Sequence, residues 1–484
     1  MSVDYGNISE LINDVLRKIR PTKEEINKAL ELYEYLKGLI EKELSIPYDF
    51  KVSLEGSLAK GTCLRGEIDL DIFILVKYEN INNEWIKSKL IIPLLKVLSR
   101  RGIRTELRYA SHPYLRIYHN SYQADIVPAY WANSINEIKT PVDRTPFHTK
   151  YVLSKLEENQ RDEVRLLKKF LKGIGVYGAE IKVRGFSGYL CELLIIKYGS
   201  FLNVLNNAKN WRKGEVIVID SIPYTTRELR KIFRDSMLIV PDPVDPRRNA
   251  AAAVSYRSLA TLAVASTLFL NYPDSSYFFR RSVKIPYTDL IQTYRRGKRN
   301  IILILFNLIN KTISPDVLWG KLLKLLSSLE NLLRTYDVNL IDKSIWSDEN
   351  EYALLMIEIP NLELPLYKVH RGPPHYLSNN VINFFLNNLG NEKTIGPWID
   401  FEGHLKTLRR REETNVINIV ERVLKQLMNG YKDYLSLNSI IELKDLSKIP
   451  SHVLENKDFY SWISEVILKI PSWLPTSLTK LRSK

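Results

Sequence analysis

The chain has 484 residues, 45% hydrophobic and 26% charged, the balance of a globular protein long enough for about three domains with cores of their own. Lysine and arginine number 70 against 55 acidic residues, a formal charge of +15 that favours a polyanionic partner, nucleic acid before acidic membrane. Two cysteines, Cys63 and Cys191, make no C-x-x-C pair, which excludes a disulfide framework and a thiolate metal centre and suits a reducing compartment. The first twenty residues mix Asp4, Glu10, Asp14 and Arg17 among apolar ones, so they do not read as a signal peptide. Amphipathic helices are predicted near Ile8–Ile19 and Lys23–Leu44, the second started by Pro21-Thr22 with Glu24 and Glu25 in its first turn. The period then changes to two. Phe50–Leu54, Leu70–Val76 and the stretch around Ala124-Asp125-Ile126-Val127 alternate as strands, with a helical segment over Trp85–Arg101 between them. Helical patterning follows from Glu163 to Phe201, then a turn-forming run, Pro241–Pro246, leads to a helix beginning near Asn249. The weakly polar stretch Ala250–Tyr272, interrupted by Arg257, reads as a buried helix rather than a membrane span. Beyond it, Tyr352–Ile359 and Leu362–Val369 read as strands among helices. The whole is α+β and multidomain, divided as 1–150, a small mixed sheet with helices, 151–272, mostly helical, and 273–484, α+β.

Chemistry concentrates between Glu55 and Ile72. Residues i and i+2 of a strand share a face, so Asp69 and Asp71 point together while Leu70, Ile72, Ile74 and Val76 take the opposite side. Those four apolar residues fix the register, because a slip by one would bury both acids. Adjacent carboxylates repel unless a cation lies between them or one is protonated, and hard oxygen donors suit Mg2+. Asp125, flanked by apolar residues in a later strand, offers a third carboxylate. Gly56-Ser57, placed after a strand and before helix-like Leu58–Thr62, is suited to phosphate, since glycine allows close backbone approach and a helix N-terminus presents donors. Lys60, Arg65 and Lys168 add positive charge. Two ions held by the three acids would activate an attacking hydroxyl and stabilise a leaving pyrophosphate.

Gly-Ser, about a dozen residues, then Asp-x-Asp with a third acid on a later strand resembles the DNA polymerase β-like nucleotidyltransferase superfamily, with Glu55 where a hydrophobic residue usually precedes the glycine. Ser111-His112-Pro113-Tyr114, Val142–His148, Lys182–Leu193 with its Arg-Gly-Phe-Ser-Gly-Tyr run, Asp242–Asn249 and Val369–Pro374 are more particularly similar to archaeal CCA-adding enzymes, over roughly residues 5 to 410. The resemblance implies a palm-like head, a helical neck, and a body and tail that grip tRNA. It implies stepwise addition of C, C and A to the tRNA 3′ end from CTP and ATP without a nucleic-acid template. Asp69, Asp71 and Asp125 would be the catalytic metal ligands, and Gly56, Ser57, Lys60, Thr145, His148, Lys168, Tyr177 and Arg248 would contact the nucleotide. Lys60 stands where the family often has arginine, which keeps the charge without the planar fork. Val369–Pro374, Trp398 and His404 would lie where the tail meets the tRNA elbow.

Between Arg280 and Arg299 seven basic residues accompany one acid, Asp289, with Phe278, Phe279, Tyr287 and Tyr294 interleaved. Arg280, Arg281, Arg295, Arg296 and Arg299, and a second cluster at Arg409, Arg410 and Arg411, are candidates for RNA, whose phosphates supply affinity and whose bases stack. The expected partners are the tRNA acceptor stem and elbow, CTP and ATP, and a second copy of the chain, without a membrane, in the cytoplasm. Alternatives are another RNA nucleotidyltransferase, such as a poly(A) polymerase or oligoadenylate synthase, or an inactive RNA-binding relative.

Overall fold

Thr22 starts the longest helix of the N-terminal region through a full capping box with Glu25, a device worth about 1 kcal/mol. In the computed structural model, which describes residues 5–78, 80–109, 112–119, 122–280, 285–475 and 478, the chain falls into two units, Met1–Ser282 with Ser472–Lys484, and Val283–Pro471.

The first unit opens with α1 (Tyr5–Ile19), α2 (Lys23–Glu43), β1 (Phe50–Glu55), the one-turn α3 (Gly56–Ala59) and β2 (Asp69–Val76). The helical stretch after β2 is broken into α4 (Asn83–Trp85), a π-helical turn over Ile86–Ile91, and α5 (Ile92–Arg100). Then come β3 (Arg104–Tyr109), β4 (Pro113–His119) and β5 (Tyr122–Tyr130). The five strands form one mixed sheet in the order β1-β2-β5-β4-β3, in which β2 and β5 run parallel and the other neighbours antiparallel. Leu70, Ile72, Ile74 and Val76 are completely buried in a core shared with Leu36 and Ile40 of α2 and Leu94 of α5. At about 1.5–3 kcal/mol for each buried aliphatic side chain, this face outweighs any register that would present it to water.

The rest of this unit comprises α6 (Thr145–Lys155), α7 (Gln160–Gly173), α8 (Gly188–Tyr198), α9 (Phe201–Ala208), a ribbon of β6 (Glu215–Val216) and β7 (Leu238–Ile239) flanking α10 (Thr226–Ile232), and α11 (Tyr256–Asn271). Its core is separate from that of the sheet and centres on Phe170, Phe201, Phe269, Tyr277 and Phe278, packed largely edge to face. Arg165 of α7 ties the two parts together. Its guanidinium donates to the carbonyls of Cys63 (2.9 Å) and Gly61 (2.6 Å) and pairs with Asp162 (2.6 Å), pinning the loop between α3 and β2.

Two helical readings need correction. The run from Glu163 to Phe201 is not continuous, because α7 stops at Gly173 and residues 174–187 form a loop in which Tyr177 bridges Phe186. Gly173 is closely packed: a Cβ there would stand 1.9 Å from the Tyr277 carbonyl oxygen. The helix expected from Asn249 begins at Tyr256, where Ser255 accepts from the amide of Ser258, and Ala250–Ala253 form turns instead. Asn249 explains the delay, since its side chain bonds the backbone of Leu238, Val240 and Ala251.

The second unit contains α12 (Tyr287–Arg296), β8 (Asn300–Leu308), α13 (Pro315–Thr335), β9 (Asp342–Ser347), β10 (Tyr352–Ile359), β11 (Tyr367–Arg371), α14 (Ser378–Asn388), β12 (Thr394–Ile399), β13 (Leu405–Arg410), α15 (Val416–Met428), β14 (Leu435–Glu442), α16 (Ser451–Glu455) and α17 (Lys457–Leu468). An antiparallel sheet, β14-β8-β10-β9, is covered on one face by α13 and α15 and on the other by α12 and α17. Ile302, Ile304 and Phe306 face the first pair and Ile301, Leu303 and Leu305 the second, so residues 301–306 of β8 are one continuous apolar run and show no alternation. A smaller sheet, β11-β13-β12, carries α14. The strand read at Leu362–Val369 is corrected to Tyr367–Arg371, and the preceding segment makes only one isolated bridge, Glu363 to Asn415. Among the described residues no single helix is long and apolar enough to cross a membrane, and Cys63 and Cys191 are buried free thiols.

Candidate active site

Parallel pairing of β2 with β5 sets Asp71 directly opposite Asp125 and Asp69 opposite Gln123. Partners in register point to the same side of a sheet, so the three carboxylates share the face away from the buried aliphatic row. They border a cavity of about 230 Å³ together with Arg116 and Gln123 on the sheet side. Gly56 closes against this face. A Cβ on it would lie 1.8 Å from Asp71 Oδ2, and its φ of +71° is one that glycine tolerates best.

Burial, followed by the charges of Asp125 and Asp69, pushes the Asp71 carboxyl up to about 7. Burial and Asp125 also raise Asp69. Among the described residues the carboxylates of Asp69 and Asp71 have no hydrogen-bond or ion-pair partner, although both backbones pair within the sheet. Asp125 does: Arg116 grips both of its oxygens, at 2.7 and 2.6 Å. Three converging carboxylates with one guanidinium between them leave a local excess of negative charge, and their all-oxygen donor set fits a hard divalent cation.

Two lysines also line the cavity. Lys60 follows α3 and Lys168 lies in α7; both are buried, and both ammoniums reach Glu192 of α8, at 2.5 and 3.5 Å. Lys168 also donates to the carbonyl and hydroxyl of Thr62, at 3.1 and 3.0 Å, and the Thr62 hydroxyl donates to Glu192 at 2.7 Å. Ser57 lines the cavity beside them. Because α3 is a single turn, its dipole is small, and the positive potential here comes mainly from the lysines.

Of the nucleotide-contact candidates, Ser57, Lys60, Lys168 and Tyr177 line the cavity and Gly56 abuts its acid wall. His148 and Arg248 do not line it but meet around Asp242, which is buried. His148 Nε2 lies 2.9 Å from one carboxylate oxygen, to which Arg248 donates at 2.7 Å. Tyr189 and the Val244 amide donate to the other oxygen, at 2.8 and 3.0 Å. Burial alone would raise Asp242, but His148, the Val244 amide and Arg248 together hold it down at about 2. Tyr189 joins this cluster to the cavity, lining the one and stacking on His148 of the other with ring centres 4.0 Å apart. Thr145 opens α6 one turn before His148 and does not line the cavity. Arg116, Gln123, Tyr189, Glu192 and Asp242 were not singled out from the sequence. The last three lie within the Lys182–Leu193 and Asp242–Asn249 motifs, whereas nothing in the sequence marks Arg116 or Gln123.

The basic candidates separate by partner. Arg295 and Arg296 are exposed in the last turn of α12, and Arg410 is exposed at the end of β13, next to half-buried Arg409. Arg299 is held inside its unit by Glu358, at 2.6 and 2.9 Å, and by the carbonyls of Val466 and Ile467. Arg280 donates to the Gly173 carbonyl at 2.8 Å. Arg281 lies outside the described residues.

Two family models match: tRNA nucleotidyltransferase, second domain, over residues 162–279, and CCA-adding enzyme, C-terminal domain, over 296–432. A CCA-adding enzyme of Sulfurisphaera tokodaii is 38% identical over 95% of this chain and 98% of its own length. Counterparts of the same name from Sulfolobus acidocaldarius and Pyrobaculum islandicum are 35% and 36% identical, covering 96% and 87% of this chain and 99% and 94% of their own.

Proposed function

The chain belongs to the CCA-adding enzyme family, and we propose that the cavity between the three aspartates and the two lysines is where it joins C, C and A, one after another, to the 3′ end of tRNA from CTP and ATP. The observation that carries this reading is the lining of the cavity: Asp69 and Asp71, whose carboxylates have no partner among the described residues, together with buried Lys60 and Lys168. Asp69, Asp71 and Asp125 would hold divalent cations, Mg2+ by their hard-oxygen chemistry, and such ions lower the pKa of an attacking hydroxyl and neutralise a leaving pyrophosphate.

The remaining work falls to the protein's own groups. Lys60 and Lys168 supply fixed positive charge for the triphosphate, and Ser57 offers a hydroxyl for a phosphate oxygen. Tyr177 presents a ring for ribose or base. His148, Arg248 and Thr145 are assigned to the nucleotide's far end, beyond Tyr189. Catalysis then rests on alignment and electrostatics, and no side chain acts as a covalent nucleophile. The proposed division of labour is a head over 1–150, a neck over 151–272 and a body and tail over 273–484, with Arg295, Arg296 and Arg410 among the contacts to the tRNA acceptor stem and elbow. The buried free thiols suit the cytoplasm as the compartment. A homodimer is the assembly we propose, open to test by light scattering.

Labelled CTP and ATP incubated with tRNA lacking its 3′ end test the reading on a sequencing gel. The expected product is three nucleotides longer, with label from CTP at the first two positions and from ATP at the third. A long A tail, or no extension, contradicts it.

A further inference from the structure

Glu192 is a charge whose side chain is completely buried in the cavity wall, and the nucleotide assignments give it no task. A carboxylate withdrawn from water at this depth is tolerated only when cations and donors surround it. Lys60, Thr62 and Lys168 do so, and they come from different elements: the end of α3, the loop after it, and α7. The loop carrying Lys60 and Thr62 is itself fixed on both sides of Thr62 by the bonds of Arg165 to Gly61 and Cys63.

Charge does not balance inside this cluster. Two ammoniums meet one carboxylate, and a bridge serving only the fold would need one. Both ammoniums border the cavity, so positive charge beyond what Glu192 balances is shared with the aspartates and with any anion that enters beside them. Gly188, one turn before Glu192, keeps the approach clear; a Cβ there would lie 3.0 Å from the Tyr177 hydroxyl and 3.6 Å from Lys168 Nζ. A lysine also loses rotamer entropy when its ammonium is fixed, so a shared anchor prepares both ammoniums before the ligand binds.

We propose that Glu192 is a positioning residue that holds Lys60 and Lys168 together as one polyphosphate receptor, so that the two lysines read the β- and γ-phosphates and leave the nucleoside to other groups. The proposal rests on the reading of the cavity as a nucleoside triphosphate site. It extends that reading by naming the part of the substrate that the two lysines read and the residue through which they read it.

The test is equilibrium binding of CTP and of CMP, each with Mg2+, to the full-length protein and to Glu192→Gln, without RNA. The amide keeps the length of the side chain and an acceptor for Thr62 but removes the charge that gathers the lysines. CTP should bind about tenfold more weakly to the variant, while CMP affinity changes less than about twofold. Thr62→Val, which removes the hydroxyl shared by Lys168 and Glu192 without changing volume, should show the same selectivity with a CTP loss of about threefold, and serves if Glu192→Gln does not fold. Unchanged CTP affinity in a folded variant, or equal losses for CTP and CMP, overturns the role of Glu192 while leaving the nucleotide site in place. A parent protein that binds CTP no better than CMP overturns the reading of the cavity, and the proposal with it.

Discussion

Asp71→Asn is expected to slow transfer of CMP to tRNA about a thousandfold, equivalent to roughly 4 kcal/mol of lost transition-state stabilisation. Asp71 is the middle of the acid wall, two residues from Asp69 on one strand and opposite Asp125 on the next. Asparagine preserves its volume, so the apolar row behind it stays packed and the loss is one of charge. Stability should move the other way. With its carboxyl raised to about 7 in the fold from the 3.8 of a free side chain, the folded protein holds the proton more tightly than the unfolded chain does. The sign follows: metal-free stability contributed at this position is greatest below about pH 4 and is lost as the pH climbs to about 7. Above that pH the asparagine variant, carrying no charge, should melt at a higher temperature than the parent when no divalent ion is present. Single-turnover incorporation and thermal melting in EDTA check the two halves. A variant that retains parental activity removes Asp71 from the chemistry.

Gly56→Ala should cost about a hundredfold in activity through steric displacement. The added methyl would lie 1.8 Å from Asp71 Oδ2 and 2.8 Å from its Cγ, so the carboxylate must rotate out of the acid wall. Backbone strain at φ +71° adds about 1–2 kcal/mol of destabilisation. Gly66→Ala separates the two effects, because Gly66 has nearly the same φ, +70°, but nothing within 4 Å of its would-be Cβ. It should lose similar stability and keep its activity. Equal activity losses in the two variants would show that strain, not contact with Asp71, is responsible.

The acid wall was legible because strand geometry leaves little freedom: Leu70, Ile72, Ile74 and Val76 had to be buried together, which turned Asp69 and Asp71 to one side. Asp125 followed the same logic. That β2 and β5 are parallel neighbours with Asp71 opposite Asp125 was not readable, since pairing joins strands separated by the β3-β4 hairpin. The hairpin itself went unread, as polar residues such as Arg104, Glu106, Arg108 and Arg116 break its apolar pattern. β8 escaped although β10, just as buried on both faces, was read, because a continuous apolar run does not by itself separate a strand from a buried helix. Arg116 and Glu192 show the limit for the site. An arginine on a strand and a glutamate inside an apolar helix gain their meaning from partners 9 and 132 residues away, Asp125 and Lys60. The basic clusters teach a related lesson, since Arg295 and Arg299 look alike in sequence, yet one is exposed and the other is enclosed by Glu358 and two carbonyls.

Crystals grown with Mn2+ and a non-hydrolysable CTP analogue, read by anomalous scattering, bear most directly on the proposed chemistry. Manganese should appear bonded to carboxylate oxygens of Asp69, Asp71 and Asp125, with the analogue's phosphates extending toward Lys60 and Lys168. Contradiction would be a protein that takes up Mn2+ elsewhere, for instance at Asp400, Glu402 and His404, whose ligand atoms lie within 4.8 Å of one another, while the three aspartates show no anomalous density.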